Sequence, residues 1–197
     1  MEQKKFILVT GGTRSGKSAF AERLAAAGGK KVIYLATATV GDEEMALRVE
    51  RHRQRRPPSW ETVEEPLEIA GVINRMGAPD KLILVDCLTL FLNNLLSKTG
   101  RLFNEESAGL TAEEEERILG VFERLCKVIT ESPADIIIVT NEVGWGLVPP
   151  YPAGRVYRDL LGTANQRLAR LADEVYLVVS GLPLEIKSLA RELWQKP

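Results

Sequence analysis

Phe6-Ile7-Leu8-Val9-Thr10-Gly11-Gly12-Thr13-Arg14-Ser15-Gly16-Lys17-Ser18 is the stretch on which the fold turns. Its first five residues predict a buried strand. The next eight match G-x-x-x-x-G-K-[ST] at every fixed position, and Ala19 to Ala27 predict a helix. Such a loop needs glycine where the backbone takes positive φ or approaches a ligand closely. Its N–H groups and the positive end of the following helix then face an anion. On this reading Gly11, Gly12, Thr13, Arg14, Ser15 and Gly16 wrap phosphate, Lys17 reaches the outer phosphates, and the Ser18 hydroxyl holds Mg²⁺. The competing reading is a glycine-rich turn with an accidental Lys-Ser pair. The strand before the loop and the helix after it favour phosphate.

Outward from the loop, Val32 to Ala38, Lys81 to Asp86, Asp135 to Thr140 and Glu174 to Val179 predict further buried strands, with a short one at Trp60 to Glu64. Helices are expected between them. Phe20, Ala21, Leu24 and Ala25 form a stripe stopped by Gly28-Gly29. Asp42 is placed to cap a helix that Pro57-Pro58 ends. Pro66 to Met76, Leu88 to Leu96 and Arg155 to Ala172 follow, and the tail from Leu184 to Gln195 reads as a short strand and then a helix. Thr111-x-x-Glu114 matches a capping box opening a helix with Ile118, Phe122, Leu125 and Ile129 inside. Ser97 to Leu110 and Asn141 to Pro150 read as loops. Continuously apolar strands alternating with helices predict a mostly parallel sheet covered on both faces. With no repeat, low-complexity run or linker, residues 1–197 form a single α/β P-loop nucleotide-binding domain on this reading.

Composition narrows the function. At 197 residues with 45% hydrophobic and 27% charged, the chain has the make-up of one globular domain with a full core. Lys plus Arg, 26, balances Asp plus Glu, 27, so no whole-molecule field points to nucleic acid. No apolar run approaches membrane-spanning length, and the one near the start is too short for a signal peptide. Cys87 and Cys126, far apart in apolar segments, are expected as buried free thiols. A cytoplasmic enzyme is the expectation.

Two constellations carry further chemistry. Asp86 ends an apolar strand, where a carboxylate can hold Mg²⁺ beside a phosphate loop; the alternative is a cap for the next helix. Arg48-Val-Glu-Arg51-His52-Arg53-Gln54-Arg55-Arg56 sets five arginines in nine residues around the only histidine. It reads as a solvated basic face, as a nucleic-acid patch lacking aromatic interleaving, or as a polyphosphate clamp. Met45, Val49 and His52 share one helical face. A neutral imidazole is a good nucleophile toward phosphorus, and neighbouring arginines favour its neutral form. Spacing alone does not separate that role from core packing.

Gly11-Gly-Thr-Arg-Ser-Gly-Lys-Ser18 resembles the G-G-x-R-S-G-K-S loop of the bifunctional adenosylcobinamide kinase/adenosylcobinamide-phosphate guanylyltransferase family of cobalamin biosynthesis. The resemblance continues through Asp42-Glu-Glu-Met45, Arg48, His52, Arg56-Pro57, Trp60, Thr62 and Glu64. It resumes at Thr140-Asn-Glu-Val-Gly-x-Gly-x-Val-Pro149, Arg158-Asp159, Gly162, Asn165-Gln166 and Ala172-Asp-Glu-Val175. It implies a RecA-like fold and two activities, with ATP and GTP as nucleotide substrates and Mg²⁺ as cofactor. His52 stands where the family carries its guanylylated histidine. Thr37, Ala38 and Thr39, with Arg53, Gln54, Arg55 and Arg56, would seat the nucleotide, and Glu64 and Asp86 match acidic positions that contact it. The resemblance also implies a homotrimer with small-molecule corrinoid and nucleotide substrates and no nucleic-acid or membrane partner. Trp145 departs from the smaller side chain frequent at its position.

Overall fold

The computed structural model describes residues 4–39, 56–100 and 109–194. In chain order its elements begin with β1 (Phe6–Gly11), α1 (Lys17–Ala27), β2 (Lys31–Ala36), β3 (Glu61–Glu64), α2 (Ile69–Met76), β4 (Lys81–Asp86) and α3 (Leu88–Ser97). They continue with α4 (Ala112–Glu131), β5 (Asp135–Val139), α5 (Pro152–Leu171), β6 (Glu174–Val179), β7 (Leu182–Glu185) and α6 (Ile186–Trp194). The strands form one seven-stranded sheet in the order β3-β2-β4-β5-β1-β6-β7. Every pairing is parallel except β6 with β7, an antiparallel hairpin at the edge. The loops that follow β1, β4 and β5 therefore leave the same edge of the sheet, side by side. That places the phosphate loop, Asp86 and the Thr140-Asn141-Glu142 segment together.

Alternation along each strand separates two cores. Phe6, Leu8, Ile33, Leu35, Ile83, Val85, Ile136 and Ile138 pack under α2, α3, α4 and α5. Ile7, Val9, Val32, Tyr34, Leu82, Leu84, Ile137 and Val139 face the other way, against Phe20, Ala21 and Ala25 of α1. Both faces being buried is why the strands read as unbroken apolar runs. The expected inner face of α4 (Ile118, Phe122, Leu125, Ile129) is fully buried, and Phe91 meets Phe122 edge-on at 5.9 Å.

Several element ends differ from expectation. α2 starts at Ile69 rather than Pro66, because the Glu65 carboxylate accepts from the N–H groups of Leu67 and Glu68 and holds them in a turn. α5 starts at Pro152, three residues earlier than expected. Proline suits the first helical turn, where its missing N–H costs nothing. β2 ends at Ala36 and β5 at Val139, just short of two buried threonines, Thr37 and Thr140, that turn their hydroxyls to other partners. The helix expected after Asp42, and the middle of the loop expected from Ser97 to Leu110, lie outside the described residues. Both cysteines are free, as expected, though half-buried rather than fully enclosed. No helix among the described residues is long and apolar enough to cross a membrane.

Candidate active site

The phosphate loop is built by two glycines that nothing else could replace. Gly11 takes φ 155°, and a Cβ there would stand 2.4 Å from the Val178 carbonyl oxygen and 2.8 Å from the Ser15 hydroxyl. Gly16 takes φ 96° as the residue capping α1, with room for a Cβ limited to 3.2 Å from Gly181. Between them the loop is tied by Ser15 N–H to Gly12 O at 3.2 Å and by Gly181 N–H to Ser15 O at 2.8 Å. Thr13 and Arg14 stand exposed on the loop's outer side. Arg14 also has positive φ, 59°. Lys17, only 9% exposed, folds back so that its ammonium donates to Gly12 O at 3.1 Å. A buried cation lying along its own loop is positioned to exchange that carbonyl for a phosphate oxygen.

Asp86 does not cap the helix after it. Cys87 occupies the cap position of α3 without a side-chain bond. One Asp86 oxygen instead accepts from the Ser18 hydroxyl at 3.4 Å and the other from the Tyr34 hydroxyl at 2.7 Å. Ser18 and Asp86 thus present two hard oxygen donors at the mouth of the loop, which suits Mg²⁺ completed by phosphate and water. Among the described residues no group of three or more His, Cys, Asp or Glu gathers, so no all-protein cage competes with this arrangement. Burial, followed by the Asp86 charge, pushes the Tyr34 hydroxyl far above its ordinary range, and the nearby Arg56 only partly offsets this. Tyr34 is therefore a fixed donor to Asp86. The Arg56 guanidinium stacks 3.4 Å over the Tyr34 ring, a cation–π contact that pins the arginine close to Asp86.

The segment after β2 is less open than its sequence indicates. The Thr37 hydroxyl is wholly buried, donating to Cys87 O at 2.7 Å and accepting from Cys87 N–H at 2.8 Å. It fastens β2 to β4 and leaves Ala38 and Thr39 as the parts that reach the surface. Thr39 donates to Asn94 at 3.4 Å, and the Asn94 amide holds the carbonyls of Thr37 and Pro66. Burial and the Asp86 charge push the Cys87 thiol up to about 11, despite its place at a helix N-terminus.

Beyond β5 lies a polar cluster to which the sequence reading gave no role. Glu142 N–H donates to Gly11 O at 3.1 Å. Its carboxylate accepts from the Thr10 hydroxyl at 3.2 Å and from the Asn165 amide at 3.5 Å. Asn165 is oriented by the buried Thr140 hydroxyl at 2.8 Å and also donates to Asn141 O at 3.0 Å. The carboxyl end of an apolar strand beside a phosphate loop is where such groups are found, and Asn141-Glu142 could have been flagged on that signal.

Lys17, Ser18, Asp86 and Arg56 are thus brought together with the loop. Glu64 is not, because it ends the edge strand β3, four positions from β1 and so roughly 19 Å across the sheet. His52, Arg53, Gln54 and Arg55 lie outside the described residues.

A family model described as cobinamide kinase / cobinamide phosphate guanyltransferase matches residues 7–186. The chain is 42% identical over 180 residues to the bifunctional adenosylcobalamin biosynthesis protein CobP of Pseudomonas aeruginosa, spanning 91% of this chain and 96% of that protein. It is 41% identical over 181 residues to the bifunctional CobU of Escherichia coli K12, spanning 92% and 99%. The Salmonella typhimurium CobU is 42% identical over the same shares. Among solved structures, the assembled ATPase EscN of the enteropathogenic E. coli type III secretion system aligns with TM-score 0.54 at 14% identity, over 98% of this chain and 45% of that one. A prototypical type III secretion ATPase aligns with TM-score 0.53 at 14% identity, over 98% and 54%. These structural likenesses speak to fold alone, and the fold is that of RecA-like P-loop NTPases.

Proposed function

The chain belongs to the cobinamide kinase / cobinamide phosphate guanyltransferase family, and from there we propose how its residues divide the two activities. The enzyme phosphorylates adenosylcobinamide with ATP or GTP. It then transfers GMP from GTP to the product, giving adenosylcobinamide-GDP in cobalamin nucleotide-loop assembly. One domain spanning 1–197 does both. The observation that carries the reading is the phosphate loop with Lys17 folded into it and the Ser18–Asp86 pair at its mouth.

In the kinase step the amides of Gly11 to Ser18 hold the β- and γ-phosphates, and Lys17 leaves Gly12 O for a phosphate oxygen. Ser18 and Asp86 would hold Mg²⁺, which would supply charge neutralisation for phosphoryl transfer. Arg56, fixed on Tyr34, adds positive charge beside it. Phosphoryl transfer asks mainly for positioning and electrostatics, which these groups provide.

In the guanylyl step a ring nitrogen of His52 attacks the α-phosphorus of GTP. An N–P bond forms and pyrophosphate leaves. The phosphate of cobinamide phosphate then attacks the same phosphorus, the N–P bond breaks, and His52 is restored. Ala38, Thr39, Arg53, Gln54 and Arg55 seat the nucleotide with Thr37 as their anchor, and Glu64, level with Asp86 at the carboxyl edge of the sheet, contacts it at a point farther from the loop. The exposed loop after Glu142, with Trp145 and Leu147, meets the corrinoid. The working particle is a cytoplasmic homotrimer, which its mass in sedimentation would check.

Lys17→Ala tests the kinase half. Transfer of γ-labelled phosphate to cobinamide falls by roughly 10²–10³ in kcat, the scale of a lost transition-state donor. Activity within about threefold of the unmodified enzyme would remove Lys17 from this role.

A further inference from the structure

We infer that Glu142 is the general base of the kinase step, taking the proton from the acceptor hydroxyl as it attacks the γ-phosphorus. This rests on the kinase half of the function proposed above. Asp86 is occupied on both oxygens, by Ser18 and Tyr34. Glu64 is across the sheet. Glu142 touches the loop itself, through its N–H on Gly11 O at 3.1 Å. Lys17, the residue that marks the outer phosphates, lies on the next carbonyl, Gly12 O, at 3.1 Å. The Glu142 backbone and the Lys17 ammonium thus anchor at adjacent residues of one loop, with the Glu142 carboxylate held by Thr10 at the end of β1, just before that loop.

The cluster around Glu142 orients the carboxylate and leaves half of it unused. Thr10 and Asn165 both donate to the same oxygen, Oε1. Thr140 fixes the Asn165 amide so that its NH₂ faces Asn141 and Glu142. Among the described residues no donor reaches Oε2. At the preceding residue, the Asn141 side-chain oxygen is buried without a hydrogen-bond partner. Leaving a buried acceptor unpaired costs about 1–3 kcal/mol, and a ligand donor arriving at the end of β5 would recover it. Two acceptors at one strand end, against a loop built for phosphate, form a place for a hydroxyl rather than for another anion.

The step balances simply. The hydroxyl oxygen forms a bond to the γ-phosphorus, the bond from that phosphorus to the bridging oxygen breaks, and the nucleoside diphosphate leaves. The hydroxyl proton passes to Oε2 of Glu142 and from there to solvent. In the guanylyl step the attacking group is a phosphate oxygen that is already anionic, so no base is needed there.

Glu142→Gln keeps the shape and an acceptor for Thr10 and removes the base. Kinase kcat is expected to fall by roughly 10²–10⁴, with KM for nucleotide little changed. The acid limb of the kinase pH profile is expected to vanish. GMP transfer to preformed cobinamide phosphate is expected to fall far less, and thermal midpoints to stay close. Glu142→Asp, which retains a carboxylate, should recover part of the rate. Kinase kcat within about threefold of the unmodified enzyme overturns the proposal. So does a parallel loss of both activities with a lowered thermal midpoint, which would make Glu142 structural. Unmodified protein that phosphorylates no cobinamide overturns the kinase reading itself, and this assignment with it.

Discussion

Tyr34 joins the sheet's second core to the catalytic edge. It is 2% exposed, gives its hydroxyl to Asp86, and carries Arg56 on its ring. Burial, then Asp86, raises its folded pKa above the unfolded value of 10.0. The stabilisation this implies is fully present below pH 10 and is lost as pH rises above it, where only the unfolded chain ionises. Tyr34→Phe removes the titrating group and the donor to Asp86, and costs about 1 kcal/mol at pH 7. Denaturant midpoints measured at pH 9 and 11 should therefore fall more for the unmodified protein than for the variant. Equal falls would mean that Tyr34 ionises in the folded state as readily as in the unfolded one.

Helix ends are held by residues from distant parts of the chain. The Thr111–Glu114 capping box was legible because both partners lie within four residues, and it forms. Lys4 instead donates to carbonyls in the last turn of α4, Ile129 O and Thr130 O, and Lys187 to Ala169 O, Arg170 O and Ala172 O at the end of α5. Local spacing carries no trace of such pairs. Glu185 is another case, because its carboxylate accepts from Lys187 and Ser188 at the start of α6 and from Val175 of β6. Burial works against ionisation of Glu185, and the bonds from Ser188, Val175 and Lys187 outweigh it, holding the pKa at about 2. That stabilisation is present above the ordinary value of 4.5 and lost as pH falls toward 2. Glu185→Ala should cost about 1 kcal/mol at pH 7, the scale of a lost cap. Its deficit against the unmodified protein should shrink between pH 4.5 and 2 in acid unfolding curves. A constant deficit would place the effect elsewhere.

At the scale of the molecule, apolar runs and the phosphate loop announced the parallel sheet, its two cores and the position of Lys17, Ser18 and Asp86. What stayed hidden depends on strand order. Thr10 and Glu142 are 132 residues apart and meet because β1 and β5 are neighbours. Glu64 looked equivalent to Asp86 in sequence, each ending a strand, yet β3 is at the edge and β4 is central. The same order gives the loop after Glu142 its place over the catalytic edge, with Trp145 72% and Leu147 97% exposed. On the proposed function, this apolar loop is assigned to the bulky corrinoid rather than to the nucleotide. Trp145→Ala should raise KM for adenosylcobinamide about tenfold, the scale of one buried aromatic anchor, and leave KM for GTP unchanged. A rise in KM for GTP alone would assign the loop to the nucleotide.

The proposed guanylyl step runs through a covalent intermediate on His52, a side chain outside the phosphate loop. Intact-protein mass after incubation with GTP and Mg²⁺, without corrinoid, tests this most directly. A gain of one GMP that is lost in acid and absent from His52→Ala is the expected result. No adduct, or an adduct that persists in His52→Ala, would contradict it.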